Sequence, residues 1–370
     1  MVTILYASPM SLYSARVRTY FIKAGIEFRE VAPISDHYED VVLPKAGGRR
    51  SMPTVELPDG TVIRDSVAIL DYFESKSGFS FKPRSPKHNA LSLLFDVIGA
   101  EGMLRPAMHY RWHFEENDLM VRHDFAEITP RNAPFTYTVA GRVERMKQAC
   151  IDLGVPNERV ALTQSLYLRL IKSLEEHFAA YPYFLGGKPC IGDFGFIAPM
   201  HAHLGRDIAP LSLLYKHAPN VLRWIERMNR NDPAFSAKHQ MPEDYLATDE
   251  VPKTLVSALR VMAIDFVPET LAACDFINEW LESSTPSISG SPVERTIGAA
   301  SFEIEGQQTT AAVQPFRLYL LKRFQDFVSS LPQTDKTEVI DLLGEINMST
   351  LLDLKITRTI GRSGNLEIWK

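Results

Sequence analysis

The chain predicts an α/β unit over residues 1–80, an all-helical unit over 86–247 and a mixed α/β extension over 248–370. Three observations carry that prediction. Short apolar β runs alternate with helical periodicity up to residue 80, and after "FKPRSPKHN" the pattern changes to long helical stretches with no convincing strand until about residue 293. Two further β-like runs then flank Gly306, and a strand-like tail ends the sequence.

Taken in order, "TILYAS" (3 to 8) reads as a buried strand, "SARVRTYFIKAG" (14 to 25) as an amphipathic helix closed by Gly25, and "EFREVA" (27 to 32) as a second strand. Strand, helix and strand of this length make a parallel βαβ unit with a right-handed crossover. A polar loop with Lys45, Gly47, Gly48, Arg49 and Arg50 follows, and "MPTVELPDGTVIRDS" reads as a hairpin turning at Asp59 and Gly60. From Ser66 the run "SVAILDYFESKSG" is a helix, capped by Asp65 or Ser66 and ended by Gly78.

In the second unit, "ALSLLFDVIGAEGMLRPAMHYRWHFEEN" and "ERVALTQSLYLRLIKSLEEHFAAY" bracket a proline-containing connection of weak periodicity, roughly 117 to 157. "IGDFGFIAPMHAHLG" and "NVLRWIERMN" supply further helices. The extension reads as a helix at about 251 to 283, a linker or turn in "TPSISGSP", the β-like runs, and helices at 315 to 330 and 335 to 347. The apolar periodicity of "VQPFRLYLLKRFQDFV" requires a surface to cover, so the extension is expected to pack over a cleft or to add to a dimer interface.

Composition narrows the function classes. With 45% hydrophobic and 23% charged residues and a net charge of −5, the chain lacks the electrostatic footprint of a nucleic-acid binder. No apolar run approaches the roughly 18 residues of a membrane span, and the start "MVTILYAS" lacks the features of a secretory signal, so a cytoplasmic protein is expected. Cys150, Cys190 and Cys274 form no CxxC and read as reduced structural thiols. Phosphate-binding and nucleophile-elbow motifs are absent. His201 and His203 are two apart, so on a helix they point away from each other, and His109 and His113 have i, i+4 spacing without an acidic partner and read as core or pocket residues; no metal is expected.

The stretch "YASPMSLYSARVR" places Ser8, Ser11, Tyr13 and Ser14 where a strand turns into a helix, offering hydroxyls and free N–H groups to a small anion. Capping of the helix by Ser11 or Ser14 is the plainer reading. With its serine five residues before Arg-Val-Arg, this stretch resembles the zeta class of the glutathione transferase superfamily, and the resemblance extends over roughly residues 3 to 245. It implies a thioredoxin-like glutathione-binding domain at 1–80, an all-α substrate domain at 86–247, and an added extension of unknown role.

In that family the serine, here Ser11, donates a hydrogen bond to the glutathione sulfur and stabilises the thiolate. By the same resemblance Met52 offers its backbone to the cysteinyl part ahead of a cis Pro53 in "SMPTVEL", and Asp65 and Ser66 receive the γ-glutamyl ammonium and carboxylate. The glycyl carboxylate needs a cation from Lys45, Arg49 and Arg50, with Arg50 the choice. "KPCIGDFGF" resembles the family's buried capping box, with Cys190 in place of Ser or Thr and Asp193 serving the backbone; that motif is assigned to folding. Tyr13, Met108 and Trp112 are implied as substrate-pocket residues, in a stretch that also carries Tyr110, Arg111 and His113. Tyr6 is read as core packing. No cysteine stands at position 11, which disfavours thiol-reductase chemistry.

The resulting expectation is a homodimeric enzyme that activates the thiolate of glutathione, its co-substrate, for attack on a small hydrophobic electrophile, by conjugation or by glutathione-dependent isomerisation or cleavage. The alternative is a non-catalytic protein of this fold acting as a protein-interaction module.

Overall fold

Thr3–Tyr6 (β1) pairs in parallel with Phe28–Val31 (β2), in register Thr3↔Phe28, and antiparallel with Thr54–Glu56 (β3). Val62–Arg64 (β4) completes a sheet of order β2-β1-β3-β4, the β3–β4 turn falling at Asp59 and Gly60 as the hairpin signal predicts. The computed structural model describes residues 2–78, 80–130, 133–231, 235–239, 244–247, 249–283 and 288–370. The reading of "TPSISGSP" as a linker or turn therefore falls partly outside the described residues.

Leu12–Ala24 (α1) begins two residues before the predicted start, because Ser11 caps it: the Ser11 backbone is extended (φ −83°, ψ 124°) and its Oγ accepts the Ser14 N–H at 3.3 Å. Gly25, at φ 66°, ends the helix in the left-handed conformation that glycine adopts without a Cβ penalty. Leu43–Lys45 (α2) is a single turn in the loop before β3. Ser66–Ser77 (α3) is capped by Asp65, not Ser66: Asp65 Oδ1 accepts from Val67 N at 2.9 Å and Ala68 N at 3.4 Å. Tyr20 on α1 donates to Glu74 on α3 at 2.8 Å, joining the two helices across one face of the sheet.

Helices Pro86–Val97 (α4), Leu104–Trp112 (α5), Asp118–Glu127 (α6), Val139–Asp152 (α7), Val160–Ala180 (α8), Ile191–Pro199 (α9), Ile208–His217 (α10) and Pro219–Met228 (α11) follow. The connection read at 117 to 157 thus contains two helices, α6 and α7. Their exposed faces and intervening prolines blur the periodicity, since few of their residues are buried. A buried Arg16–Asp96 pair at 2.6 Å ties α1 to α4. Residues 98–102, between α4 and α5, lie so close to α9 that a Cβ on Gly99 would come 2.5 Å from the Phe196 backbone. The Cys190/Asp193 capping box is formed at the start of α9, with Asp193 also accepting the Trp224 indole N–H at 3.0 Å.

Lys253–Ser283 (α12) lies against α8 and against the hairpin Ala299–Ile304 (β5) and Gln307–Ala312 (β6). Phe316–Ser330 (α13) buries Leu318, Leu321, Phe324 and Val328 and packs on α4, with Gln333–Glu345 (α14) beside it. The apolar stripe read in the sequence is therefore covered within the chain. One continuous hydrophobic cluster runs from Leu5 in β1 to Trp369 at the end of the extension.

The tail is a hairpin, Ile360–Ser363 (β7) and Leu366–Trp369 (β8), and it caps the open edge of the first sheet. Asn365 at its tip accepts the Arg64 N–H through Oδ1 at 2.9 Å and donates through Nδ2 to Val62 O at 2.9 Å and Lys45 O at 2.8 Å. An edge strand exposes unpaired N–H and C=O groups, and here a side-chain amide satisfies both kinds. Among the described residues, no helix is long and apolar enough to cross a membrane.

Candidate functional site

Two cavities meet beside Tyr13 in the first turn of α1. The larger, about 430 Å³, lies between the β1–α1 turn and the helical unit; the smaller, about 300 Å³, lies between Tyr13, Asp65 and the extension. Tyr13, Arg50, Ser51, Met52 and Arg295 line both. Ser11 lines the larger at its floor, at the N-terminus of α1.

The serine turn is held from below. Arg111 on α5 is buried, pairs with Asp207 through Nε at 2.8 Å and Nη2 at 2.9 Å, and donates through Nη1 to Met10 O at 2.9 Å. Its guanidinium is consumed by this role although the residue touches the cavity wall. Ser11 Oγ accepts the Ser14 N–H, and no described residue takes its own hydroxyl proton. Capping and donation to a ligand are therefore compatible in one side chain. Ser8 and Ser14 are buried, and neither lines these two cavities.

Opposite Ser11, the Met52–Pro53 peptide is cis, and no described residue pairs with the Met52 backbone N–H or C=O. Pro53 is buried behind it and contributes the turn, not a wall. Asp65, at φ 82°, lines the smaller cavity; Oδ1 caps α3 and lies 3.9 Å from Arg362, while Oδ2 has no described partner. Burial, reinforced by the charge of Glu367, raises its carboxyl above the usual aspartate range, with Arg362, Arg64 and Arg16 opposing. Ser66 is buried in the first turn of α3 and lines neither cavity.

The three loop cations separate. Lys45 donates to Gly60 O at 3.0 Å and lines neither cavity. Arg49 lines the smaller cavity, donating to Val293 O at 2.5 Å with Glu367 at 3.5 Å. Arg50 lines both, with both its terminal nitrogens on the Glu39 carboxylate.

Met108 and Trp112 line the larger cavity, Trp112 stacked on Phe125 with centroids 6.2 Å apart. Tyr6 is outside it: its hydroxyl donates to Glu56 at 2.9 Å and its ring packs on Tyr38, as the core reading expects. His109 and His113 meet through their Nδ1 atoms at 3.1 Å, and burial lowers His109 to about 4. His203, by contrast, reaches the larger cavity from the turn after α9, its Nδ1 on Ala107 O at 2.8 Å. Among the described residues no group of three or more His, Cys, Asp or Glu is placed to hold a metal.

Several site residues were not found from sequence. Glu101 lines the smaller cavity, accepts the Tyr13 hydroxyl at 3.1 Å, and is pushed up to about 7 by burial, against the pull of Arg317. Tyr13 is raised in turn, first by burial and then by the Glu101 charge. The extension contributes Arg295 to both cavities and Glu367 to the smaller, where it binds Arg64 at 2.6 Å and also meets Arg49 and Arg362. A lone glutamate in the helical stretch "IGAEGM" was the only available signal for Glu101.

Residues 5–83 match the model of the glutathione S-transferase N-terminal domain. A search of curated proteins gave no match. Solved structures similar to this chain include a glutathione S-transferase from Pseudomonas fluorescens Pf-5 (16% identity, TM-score 0.35, covering 61% of this chain and 94% of that one). The β-etherase LigF from Sphingobium sp. strain SYK-6 gives 17% identity and TM-score 0.43, with 62% and 95% covered. Glutathione transferase GSTFuA3 from Phanerochaete chrysosporium gives 16% and 0.44, with 64% and 99% covered. The match covers residues 5–83, which carry the four-stranded sheet with its cis proline before β3, so this first unit of the chain is similar to the glutathione S-transferase N-terminal domain.

Proposed function

We propose that the protein is a glutathione transferase-type enzyme in which Ser11 stabilises the thiolate of bound glutathione and the larger cavity holds an electrophile. One observation carries this reading: a serine hydroxyl with an uncommitted proton, at a helix N-terminus, lines a cavity that shares Tyr13, Arg50, Ser51, Met52 and Arg295 with a second, more charged one. In this reading the smaller cavity, with Asp65, Glu101 and the arginines, takes the charged γ-glutamyl end of the tripeptide. The free backbone of Met52 pairs with the cysteinyl residue, and Arg50 or Arg49 meets the glycyl carboxylate. Ser66 contributes by its place in the first turn of α3, not by lining the cavity.

The energetics are sufficient. Lowering a thiol from about 8.5 by two units takes about 2.7 kcal/mol. A hydrogen bond to a charged group supplies about 1.5–3 kcal/mol and a helix N-terminus about 0.3–1 kcal/mol. The thiolate then forms a C–S bond to the electrophilic carbon, whose displaced electron pair leaves on a leaving group or moves into an adjacent π system. Ser11 keeps its proton throughout. A cytoplasmic location and a homodimeric assembly belong to the same proposal.

Calorimetric titration of the full chain with glutathione tests it. A dissociation constant of about 0.1 mM, near 5.5 kcal/mol, is expected; no heat at millimolar glutathione refutes it.

A further inference from the structure

The wall of the larger cavity is rich in arginine and has no acid. Arg50, Arg111, Arg142, Arg145 and Arg295 line it, with no Asp or Glu among the lining residues. Two of the five are neutralised from behind, Arg50 by Glu39 and Arg111 by Asp207. The other three have no carboxylate partner among the described residues. Arg142, nine-tenths buried, donates only to backbone carbonyls, Tyr137 O at 2.9 Å and Ile128 O at 3.3 Å. Arg145 donates to Thr136 O at 3.0 Å, and Arg295 has no described hydrogen bond.

The cations are also gathered. The guanidinium carbons of Arg50, Arg142 and Arg145 lie 5.6, 5.4 and 5.8 Å from the centre of the Tyr137 ring. Three like charges around one ring, with one carboxylate among them, leave a local excess of positive charge. The ring's negative faces offset part of it, by about 0.5–2 kcal/mol per cation. A buried charge is ordinarily paired, because desolvation costs more than a neutral acceptor returns. The same wall carries a set of apolar side chains, Met10, Met108, Trp112, Phe125 and Met146.

We propose that the ligand of the larger cavity is an amphipathic acid, an aromatic or apolar body bearing a carboxylate that Arg142, Arg145 and Arg295 receive. This names the substrate class of the electrophile site and rests on the reading of the smaller cavity as the glutathione site. It also gives the extension a role in recognition, since Arg295 reaches the cavity from beyond residue 283. The alternative source of the same carboxylate chemistry is the glycyl end of glutathione.

The test compares naphthalene-2-carboxylate with the isosteric naphthalene-2-carboxamide, each titrated into the full chain without glutathione, with glutathione titrated separately. Wild type is expected to bind the carboxylate about tenfold or more tightly, a difference of about 1.4 kcal/mol. R145Q and R295Q, both at exposed positions, should each reduce that ratio severalfold and together bring it near 1; in R145Q, whose side chain lines only the larger cavity, glutathione affinity should stay within twofold of wild type. R142K, which retains charge but not the guanidinium fork, should fall between. A wild-type ratio below 2, a ratio unchanged in the double variant, or a loss of glutathione affinity in R145Q matching its loss of carboxylate affinity overturns the proposal. Failure of glutathione to bind while the carboxylate preference stands refutes the function reading alone.

Discussion

Glu367 is the residue on which docking of the C-terminal hairpin turns. It is 4% exposed and is surrounded by Arg64, Arg49 and Arg362, so replacing it with glutamine leaves Arg64, itself 4% exposed, without a counter-charge. Removing one partner of a buried ion pair costs about 3–5 kcal/mol. A two-stranded hairpin has little stability of its own, so the loss should appear as undocking of β7 and β8 before global unfolding. The Arg64 N–H reports this locally, because its acceptor is Asn365 Oδ1 on the hairpin. With 3 kcal/mol lost and 1.4 kcal/mol per decade, hydrogen exchange at Arg64 should accelerate about 10²-fold in E367Q, with amides in α8 unchanged. An exchange rate at Arg64 within a factor of about 3 of wild type would refute the reasoning. It would mean that the apolar contacts of Trp369 and the bonds of Asn365 hold the hairpin without the charge cluster.

Further outcomes follow from other buried groups. Glu101 is raised from 4.5 to about 7, so the native state binds the extra proton between those values and stability falls as pH rises through that window. The loss is on the order of 3 kcal/mol, and in E101Q the difference between the unfolding free energies from urea titration at about pH 5 and pH 8 should shrink by about that amount; an unchanged difference contradicts it. G99A should cost about 1–3 kcal/mol, since its Cβ meets the Phe196 backbone at 2.5 Å; denaturation midpoints equal to wild type would show that the contact yields. D193A leaves the Cys190 N–H and the Trp224 indole N–H without an acceptor and should cost about 2–5 kcal/mol by urea titration, with a cost below 1 kcal/mol speaking against the capping box.

Local signals were legible in the sequence where local chemistry sets the structure. The turn at Asp59 and Gly60, the helix stops at Gly25 and Gly78, the Asp65 cap and the Cys190/Asp193 box all depend on residues within a few positions of one another, and each is found where the pattern places it. Ser11 required one adjustment: two apolar residues, Leu12 and Tyr13, join the helix ahead of the polar run from which its start was read.

The parts of the site supplied by distant chain were not legible. Arg64 and Glu367 are 303 positions apart, and nothing in the periodicity of either segment specifies their meeting. Arg142 and Arg145 lie on α7, whose polar face looks like any solvated helix, and only the fold reveals that Tyr137 gathers them with Arg50. Glu101 reads as a surface charge, yet it is 2% exposed, because the turn between α4 and α5 brings it under Tyr13 and Arg317. Ser66 carried a site signal that its burial in the first turn of α3 does not translate into a cavity wall.

The most direct test of the central claim is the thiol pKa of glutathione bound to the full chain, read by ultraviolet thiolate absorbance against pH in wild type and S11A. A bound value near 6.5, about two units below the free thiol, is expected in wild type, with a return of about one unit or more toward 8.5 in S11A with glutathione still bound. A bound thiol near 8.5 in wild type, or a lowered value that S11A leaves in place, would contradict the assignment of Ser11.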